Sequence, residues 1–526
     1  MKVESVCIVG GGSAGWMTAA LLSKETDMEI CLVESANQKP IGVGESTIQH
    51  INRYLQRLGI KDKEWMSSCN ATYKAAIAFK DFRQKDTNRF YYPFGRLELP
   101  PLNQLFKDEE EMLLRWQELR CMHPDDYPPE EFSFFVNKQT NLAHHNIMCE
   151  SIPGTEFQMD DYIAYHFNAD KFGEWLAYNI ALPNGVVHAL GDVNNVIRTP
   201  EGNISAITTV DGQCISADLF VDCTGFKSLL LEQHMGEKFI SFKDQLFNDS
   251  AVVTHVDYRD KDEQMKPYTD CVALKHGWVY NIPMWDSIGT GYVYSSKYIN
   301  QCEAEIEFKE FLDAEYTQTA QNCPFNNIKI KHGKHERGWV NNVVAVGLSY
   351  AFLEPLESTG LMTTHECVQF LSDALTRRDG YVSKIDRDVY NHASDTMVDK
   401  LKNFIAIHYN LTQRDDTQYW RDCAEKIHVQ PEVIKDVYSG YDDYVRLIDA
   451  MGVRDSEGIS DGQLYISQGM GIPFLSKGVY NERLTPEIED IVNDTHKSYQ
   501  QDIIDRMSWV KDQQSHYEYL KDNIYV

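Results

Sequence analysis

Two side chains nearly three hundred positions apart stand out for the chemistry they can do. Lys74 lies in Ala71-Thr72-Tyr73-Lys74-Ala75-Ala76-Ile77-Ala78-Phe79, and Glu357 in Phe352-Leu353-Glu354-Pro355-Leu356-Glu357-Ser358-Thr359-Gly360. A lysine in an apolar segment offers an ammonium that can hydrogen-bond and polarise a small reactive molecule. Burial that lowers its pKa would offer a neutral amine instead. A glutamate offers a base, or a negative charge for a cationic intermediate. Both have ordinary readings too, a snorkelling surface lysine and a carboxylate set against a helix dipole. Thr359 and Gly360 open a helix running through Leu361 to Ala374. Its free N–H groups make an anion site, and Ser358 and Thr359 serve equally well as an N-cap.

The scaffold that must hold these groups starts at the N-terminus. Ser5-Val6-Cys7-Ile8-Val9 is an apolar run of the kind buried in a parallel sheet, and Glu29-Ile30-Cys31-Leu32-Val33 is a second strand. Between them, Gly10, Gly12 and Gly15 form G-x-G-x-x-G with Ser13 and Ala14 inside it, and Glu34 follows Gly15 by nineteen residues. The glycines allow a tight turn and bring backbone N–H groups to a pyrophosphate at the helix start, while the carboxylate suits a ribose hydroxyl. Later segments favour FAD as the dinucleotide. Residues 203–212 read as part of a stranded excursion, Ala217 to Gly225 ends a strand on acid-x-Thr-Gly, and Asn342 to Gly347 is a strand closing on glycine. Gly42-Val43-Gly44-Glu45-Ser46-Thr47 is a glycine-rich strap suited to running close to a flavin ring, or a plain loop.

Length and composition set the frame. The chain has 526 residues, 43% hydrophobic and 25% charged, which fits a large domain with a second lobe. A net charge of −29 opposes unaided binding to nucleic acid or anionic membranes. No apolar run of about 18 residues occurs, so no membrane span is expected. The start of the chain has no signal-peptide layout. The 12 scattered cysteines contain no Cys-x-x-Cys, pointing to reduced thiols in the cytoplasm. No metal site is expected. Residues 91–156, rich in Tyr, Phe, Pro and acids, read as an irregular insertion over the active site. Met397, Leu401, Phe404, Ile405 and His408 mark one face of a helix. The expected fold is α/β, a Rossmann-like FAD-binding part with mixed sheets (1–90 and 157–390) and a mainly helical substrate lobe (91–156 and 391–526).

Together these segments resemble the flavin-dependent halogenases of the tryptophan-halogenase type, over residues 1 to about 420. Tyr73-Lys74-Ala75-Ala76-Ile77 matches the family's Phe/Tyr-Lys-x-Ala-Ile motif, which makes Lys74 the implied catalytic lysine and Lys80 a decoy. In the Leu-Glu-Pro-Leu-Glu-Ser-Thr-Gly string the second glutamate is catalytic in the family, so Glu357 is implied over Glu354. The resemblance places halide at Thr359 and Gly360. It implies FAD contacts at Gly10, Gly12, Ser13, Ala14, Gly15, Glu34, Gly44, Glu45, Gly225 and Gly347. Gly347-Leu348-Ser349, in place of the Gly-Asp of many FAD enzymes, is typical of the family. The expected reaction is halogenation of an electron-rich aromatic ring by hypohalous acid made from FADH2, O2 and chloride, bromide or iodide. Nothing resembles a second nicotinamide site, so a separate flavin reductase is the implied partner; self-association is compatible. Whether Lys74 acts by hydrogen bond or as a haloamine stays open.

Departures gather around the substrate. Tyr92, in Tyr92-Pro93-Phe94, stands where tryptophan-specific members carry histidine, and Tyr280 replaces the second tryptophan of Trp-x-Trp-x-Ile-Pro after Trp278. The aromatic loop that clamps the amino acid in the family has no clear counterpart here; the nearest stretch is Leu464 to Gly471. By contrast, His408-Tyr409 and Arg414 through Trp420 match the family well. These departures suggest a substrate other than free tryptophan. The alternatives are a flavin-dependent aromatic hydroxylase and a catalytically silent flavin-binding protein.

Overall fold

The computed structural model describes residues 1–36, 44–95, 109–316, 323–428, 459–472, 481 and 484–526. Gly42 and Val43 of the strap, residues 96–108 of the insertion, and 429–458 of the C-terminal lobe lie outside the described residues. The chain forms two compact units, one of residues Met1–Ala71, Tyr165–Asp244 and Lys329–Lys402, the other of Thr72–Ala164, Gln245–Ile328 and Asn403–Val526.

The first unit is built on a six-stranded sheet, in the order Trp339–Val340, Val343–Ala345, Leu219–Asp222, Ser5–Val9, Glu29–Glu34 and Val187–Leu190. All neighbours are parallel except the Trp339–Val340 and Val343–Ala345 pair. The register sets Val9 beside Val33 and Asp222, and Asp222 beside Ala345. The carboxyl ends of these strands therefore form one row, and the loops leaving it carry Gly10, Gly225 and Gly347. A ligand crevice is expected at such a row. The helix Ser13–Glu25 covers one face with Trp16, Met17, Ala19, Ala20, Leu21 and Leu22. The expected excursion is present as an antiparallel sheet of Val193–Arg198, Ile204–Thr209 and Cys214–Ser216.

Asp222 organises the loop after its strand. Its buried carboxylate accepts from Thr224 N at 3.0 Å, Thr224 Oγ1 at 2.6 Å, Leu230 N at 2.7 Å and Leu231 N at 2.9 Å. The acid of the acid-x-Thr-Gly pattern is thus occupied with backbone donors and shapes the turn that presents Gly225.

The second unit holds a seven-stranded sheet in the order Asn326–Lys329, Ser250–Asp257, Ser287–Tyr294, Gly277–Pro283, Tyr268–Ala273, Ala76–Lys80 and Phe90–Pro93. The helix Gln301–Tyr316 closes one face, packing Ala304, Phe308 and Leu312 on Val252, Val256, Val279 and Tyr292. The units divide the chain elsewhere than the sequence suggests. Ala76–Lys80 pairs with Tyr268–Ala273 and Phe90–Pro93, so residues 72–90 and 245–328 belong with 91–164 and 403–526. The insertion also differs from the irregular segment expected. It contains the helices Glu109–Met122, Phe132–Val136 and Thr140–His145. Met112, Leu113, Trp116 and Leu119 are buried at helical spacing, a period that the surrounding prolines and acids obscure.

The segment after the helix Lys384–Asn410 is anchored by Arg414. Its guanidinium pairs with both oxygens of Asp416 at 2.9 and 2.8 Å, donates to the Asp81 and Ala273 carbonyls at 3.2 Å, and stacks 4.6 Å from the Trp420 ring. Trp420 Nε1 donates to Leu274 O at 2.8 Å. This stretch ties chain to sheet. Arg414→Lys keeps the charge but loses the planar fork, and is expected to cost about 2–4 kcal/mol of stability in denaturant unfolding. Arg421→Lys, on the exposed side, is expected to stay within about 0.5 kcal/mol. Equal midpoints for the two variants would contradict the anchoring role.

Candidate active site

The glycine turn has the shape of a phosphate cradle. Gly10 follows the first strand with φ +116°, and a β-carbon there would come within 2.2 Å of Cys223 O. A β-carbon on Gly15 would strike Gly10 O at 1.8 Å, so helix and turn are seated against each other. Gly12 faces open space, and the helix that starts at Ser13 has neither a side-chain cap nor an acid in its first turn. Its N–H groups are available to an anion, with only glycine and small side chains beside them. Glu34 lies over the turn, its carboxyl carbon 2.2 Å from where a Gly11 β-carbon would be, and it bonds to His188 Nε2 at 2.9 Å. His188, edge-on to Trp16 at 5.1 Å, was not indicated by any sequence motif.

Gly347 joins this turn to the helix that follows the Glu357 string. Its φ is +69°, and an added β-carbon would meet Ala14 Cβ at 3.0 Å and Thr364 Oγ1 at 3.1 Å. The dinucleotide turn and the helix Gly360–Thr376 thus converge on one glycine. Gly225, φ +64°, opens to free space on the neighbouring loop. An open row of strand ends, an uncapped helix start and glycines at the close approaches together fit a dinucleotide cofactor such as FAD.

Just before the second helix, Pro355–Glu357 forms a single 3-10 turn and Ser358 turns left-handed at φ 57°. Glu357 is 1% exposed and Glu354 fully buried. Gly360 faces open space, no acid occupies the helix's first turn, and the buried Thr359 Oγ1 has no hydrogen-bond partner among the described residues. An unpaired buried hydroxyl at a helix start is a ready donor to a small anion. The Ser358 hydroxyl donates to Ser46 Oγ at 3.0 Å, which ties the strap to this turn. Gly44 has φ +79°, and Glu45–Ser46 forms a short strand against Phe167 and His166. Burial, reinforced by the Asp170 carboxylate, pushes Glu45 up to about 7.

In the second unit, Lys74 ends the short strand Thr72–Lys74 and is fully buried. Its ammonium sits 5.1 Å from the centre of the Phe94 ring, within cation–π range. The backbone around it is fixed by Ala75 N to Pro267 O at 2.7 Å and Phe94 N to Ala75 O at 3.1 Å. Gln139 Nε2 donates to Ala75 O at 2.9 Å; a lone glutamine carries no sequence signal of such a task. Lys80, half-buried at the far end of Ala76–Lys80, projects to the opposite sheet face from Phe79.

Strand pairing also places three of the four aromatic candidates, Tyr92, Trp278 and Tyr280. Tyr280 pairs with Cys271, Cys271 with Phe79, and Phe79 with Phe90. Ile77 pairs with Tyr92 two residues away. Directly paired and i+2 residues share a face, so Trp278, Tyr280, Phe79, Phe90 and Tyr92 line one side of the sheet. Tyr92 touches Phe94 at 5.7 Å, Phe404 at 6.1 Å and Tyr465 at 5.8 Å. Trp278 and Tyr280 meet each other at 6.1 Å. Tyr465 comes from Leu464 to Gly471, the stretch nearest to the family's aromatic clamp in sequence, and it lies against Tyr92.

The chain is similar to known proteins along most of its length. A family model described as tryptophan halogenase matches residues 5–450. The tryptophan 6-halogenase SttH of Streptomyces toxytricini is 35% identical over 440 residues, 80% of this chain and 81% of the relative. The tryptophan 7-halogenase RebH of Lentzea aerocolonigenes is 35% identical over 444 residues, 81% and 79% of the two chains. Among solved structures, apo VirX1 superposes with a TM-score of 0.88 at 41% identity, covering 100% of this chain and 99% of that one. The chain belongs to the tryptophan-halogenase family and is a flavin-dependent halogenase.

Proposed function

We propose that this enzyme halogenates an electron-rich aromatic or heteroaromatic small molecule other than free tryptophan, through hypohalous acid that it forms and aims internally. The observation that carries the reading is the open, unpaired helix start at Thr359 and Gly360, joined through Gly347 to the dinucleotide turn. A halide bound there and a flavin bound along the turn would occupy adjoining places in one unit. Reduced FAD with O2 supplies the oxidising equivalents that turn halide into hypohalous acid. Gly10, Gly12, Ser13, Ala14 and Gly15 hold the pyrophosphate, Glu34 a ribose hydroxyl, and Gly44, Glu45, Gly225 and Gly347 flank the flavin. The reductase is a separate protein. The twelve cysteines are free thiols, and no described helix is long and apolar enough to cross a membrane; both support a cytoplasmic enzyme.

Lys74 hydrogen-bonds the hypohalous acid and presents its halogen to the ring. As the carbon–halogen bond forms and the oxygen–halogen bond breaks, hydroxide leaves against the ammonium. Glu357 stabilises the cationic ring and accepts its proton; passed on to the released hydroxide, that proton completes a water molecule and restores the carboxylate. A hydroxylase or a silent flavoprotein would have no use for this pair, and the relatives named above are halogenases. Lys74→Ala is expected to abolish aryl halogenation while flavin oxidation continues, with Lys80→Ala close to wild type. Glu357→Gln is expected to lower the rate by roughly 10²-fold, and Glu354→Gln far less. Product masses under each halide read all four variants; full activity in the Lys74 variant would sink the mechanism.

Glu45 adds a pH signature. Its carboxyl is protonated below about 7, where it can donate a hydrogen bond to the flavin. A carboxyl whose folded pKa is raised stabilises the fold at low pH and loses that contribution as pH rises through the folded value. FAD affinity, read by flavin fluorescence, is therefore expected to weaken as pH rises through about 7. In Glu45→Gln, a permanent donor, the titration is expected to be flat. An unchanged pH profile in that variant would remove Glu45 from the flavin site.

The substrate reading rests on Tyr92, Phe94, Trp278 and Tyr280, the aromatic face on which the ring is proposed to lie. Tyr92 and Tyr280 replace residues that tryptophan-specific members use, so a free amino acid loses orientation and with it rate. In equimolar competition, simple indoles or phenols are expected to react ahead of tryptophan, with bromide or iodide outperforming chloride. Clean single-position chlorination of tryptophan, with the simple rings untouched, would refute this.

A further inference from the structure

The chain leaves one strand and enters another at the residue after Lys74. Lys74 ends Thr72–Lys74, Ala76 begins Ala76–Lys80 of the seven-stranded sheet, and Ala75 between them belongs to neither. The joint is held from three sides. Ala75 N donates to Pro267 O at 2.7 Å, and Ala75 O accepts from Phe94 N at 3.1 Å and from Gln139 Nε2 at 2.9 Å. We propose that Gln139 is a positioning residue for halogen transfer, which holds the main chain at Ala75 and the backbone behind Phe94 so that the Lys74 ammonium stays aimed. This rests on the role proposed above for Lys74.

Gln139 is 2% exposed and stands at the start of the helix Thr140–His145. Its side-chain nitrogen donates to two carbonyls, Ala75 O at 2.9 Å and Tyr162 O at 3.3 Å. Carbonyls only accept, so the nitrogen is the amide atom that faces them, and both its hydrogens are used. Tyr162 leads on to the ring beside the lysine. A β-carbon on Gly95 would fall 2.7 Å from Tyr162 Cδ1, so the tyrosine ring lies directly on the backbone that follows Phe94. The Phe94 ring centre is in turn 5.1 Å from Lys74 Nζ. One amide therefore secures both partners of that contact, the strand joint next to the lysine and the backing of the aromatic ring.

Small residues bring the glutamine this close. Ala143, one turn further along its helix, packs with Ala76 and Ala78 of the strand, beside Tyr91 and Tyr268. The backbone of Gln139 is fixed as well, its N–H donating to Asn137 Oδ1 at 2.8 Å. A lysine needs such support more than most groups. Its charge rides on a flexible four-carbon stem, so a small tilt of the main chain is carried out to the ammonium. Displacing a reacting group by about 1 Å can cost on the order of 10²-fold in rate. Halide oxidation at the flavin makes no use of the lysine. Loss of the Gln139 hydrogen bonds should therefore spoil the aim and not the oxidant: hypohalous acid still forms, but more of it escapes to solvent.

The test uses the full chain with FAD, a flavin reductase, NADH, O2, bromide and a simple phenol, plus an excess of a soluble β-diketone that captures escaping hypobromous acid. Gln139→Met keeps the side-chain length and removes both donors. Product per flavin oxidised is expected to fall roughly tenfold or more, with the trapped fraction rising to match and the KM for the phenol unchanged. Gln139→Asn keeps an amide but is one methylene short, and should leak in the same direction if Gln139→Met folds poorly. Asn141→Leu is the control. That buried amide donates within its own turn, to Lys138 O at 2.9 Å, so its loss should lower the unfolding temperature while leaving the partition between product and trap as in the wild type. A wild-type partition in both Gln139 variants, with Lys74→Ala inactive, would overturn the proposal and leave the role of the lysine standing. Product and trapped acid falling together, or an equal leak from Asn141→Leu, would overturn it as well, because fold and not aim would have been lost. Full halogenation by Lys74→Ala would instead remove the reading on which the proposal rests.

Discussion

At Gly347 the left-handed backbone is strained for any side chain and a β-carbon would crowd its neighbours, and much of the first unit follows from that. Ala14 stands on one side and Thr364 on the other, each about van der Waals distance or less from where a side chain would begin. Only a residue with no side chain and tolerant of φ +69° lets two helix starts approach one strand end. One start leaves its N–H groups without a side-chain cap; the other keeps the Thr359 hydroxyl without a partner among the described residues. The parallel register of Val9, Val33, Asp222 and Ala345 delivers both to the same edge of the sheet.

Charge placement is economical. Buried polar groups at the site are either heavily satisfied, like Asp222 with four donors, or set where a ligand would satisfy them, like Thr359. Glu45 follows a third course and stays neutral up to about 7. Each state follows from what surrounds the group: backbone N–H groups, an open helix end, or another carboxylate in a dry place.

The sequence was most legible where structure depends on local geometry. The glycine turn, the Glu357 string and the lysine strand are each short, continuous and spaced by one element's period. Pairings across the chain were not legible. Ser46 and Ser358 are 312 positions apart, and the contact of Tyr465 with Tyr92 needs a helix from the end of the chain. The same limit hid the unit boundaries, because no local pattern says that Ala76–Lys80 will pair with Tyr268–Ala273. The helix Glu109–Met122 was missed for another reason: its apolar period is short and embedded in turn-forming residues. The match around Arg414 and Trp420 was read correctly as family likeness, but its physical role is to fasten chain to sheet.

Tyr280 lies over Gly291 on the neighbouring strand, where a β-carbon would fall 2.5 Å from the phenol oxygen. The two positions therefore cannot drift independently. Any side chain gained at 291 displaces the ring at 280, and a wider ring at 280 still requires bare backbone at 291. Across descendants of this sequence the pair should covary, and a library that randomises position 280 alone explores only those variants that a glycine neighbour permits. Diversifying both together opens the aromatic face to shapes that neither position reaches by itself.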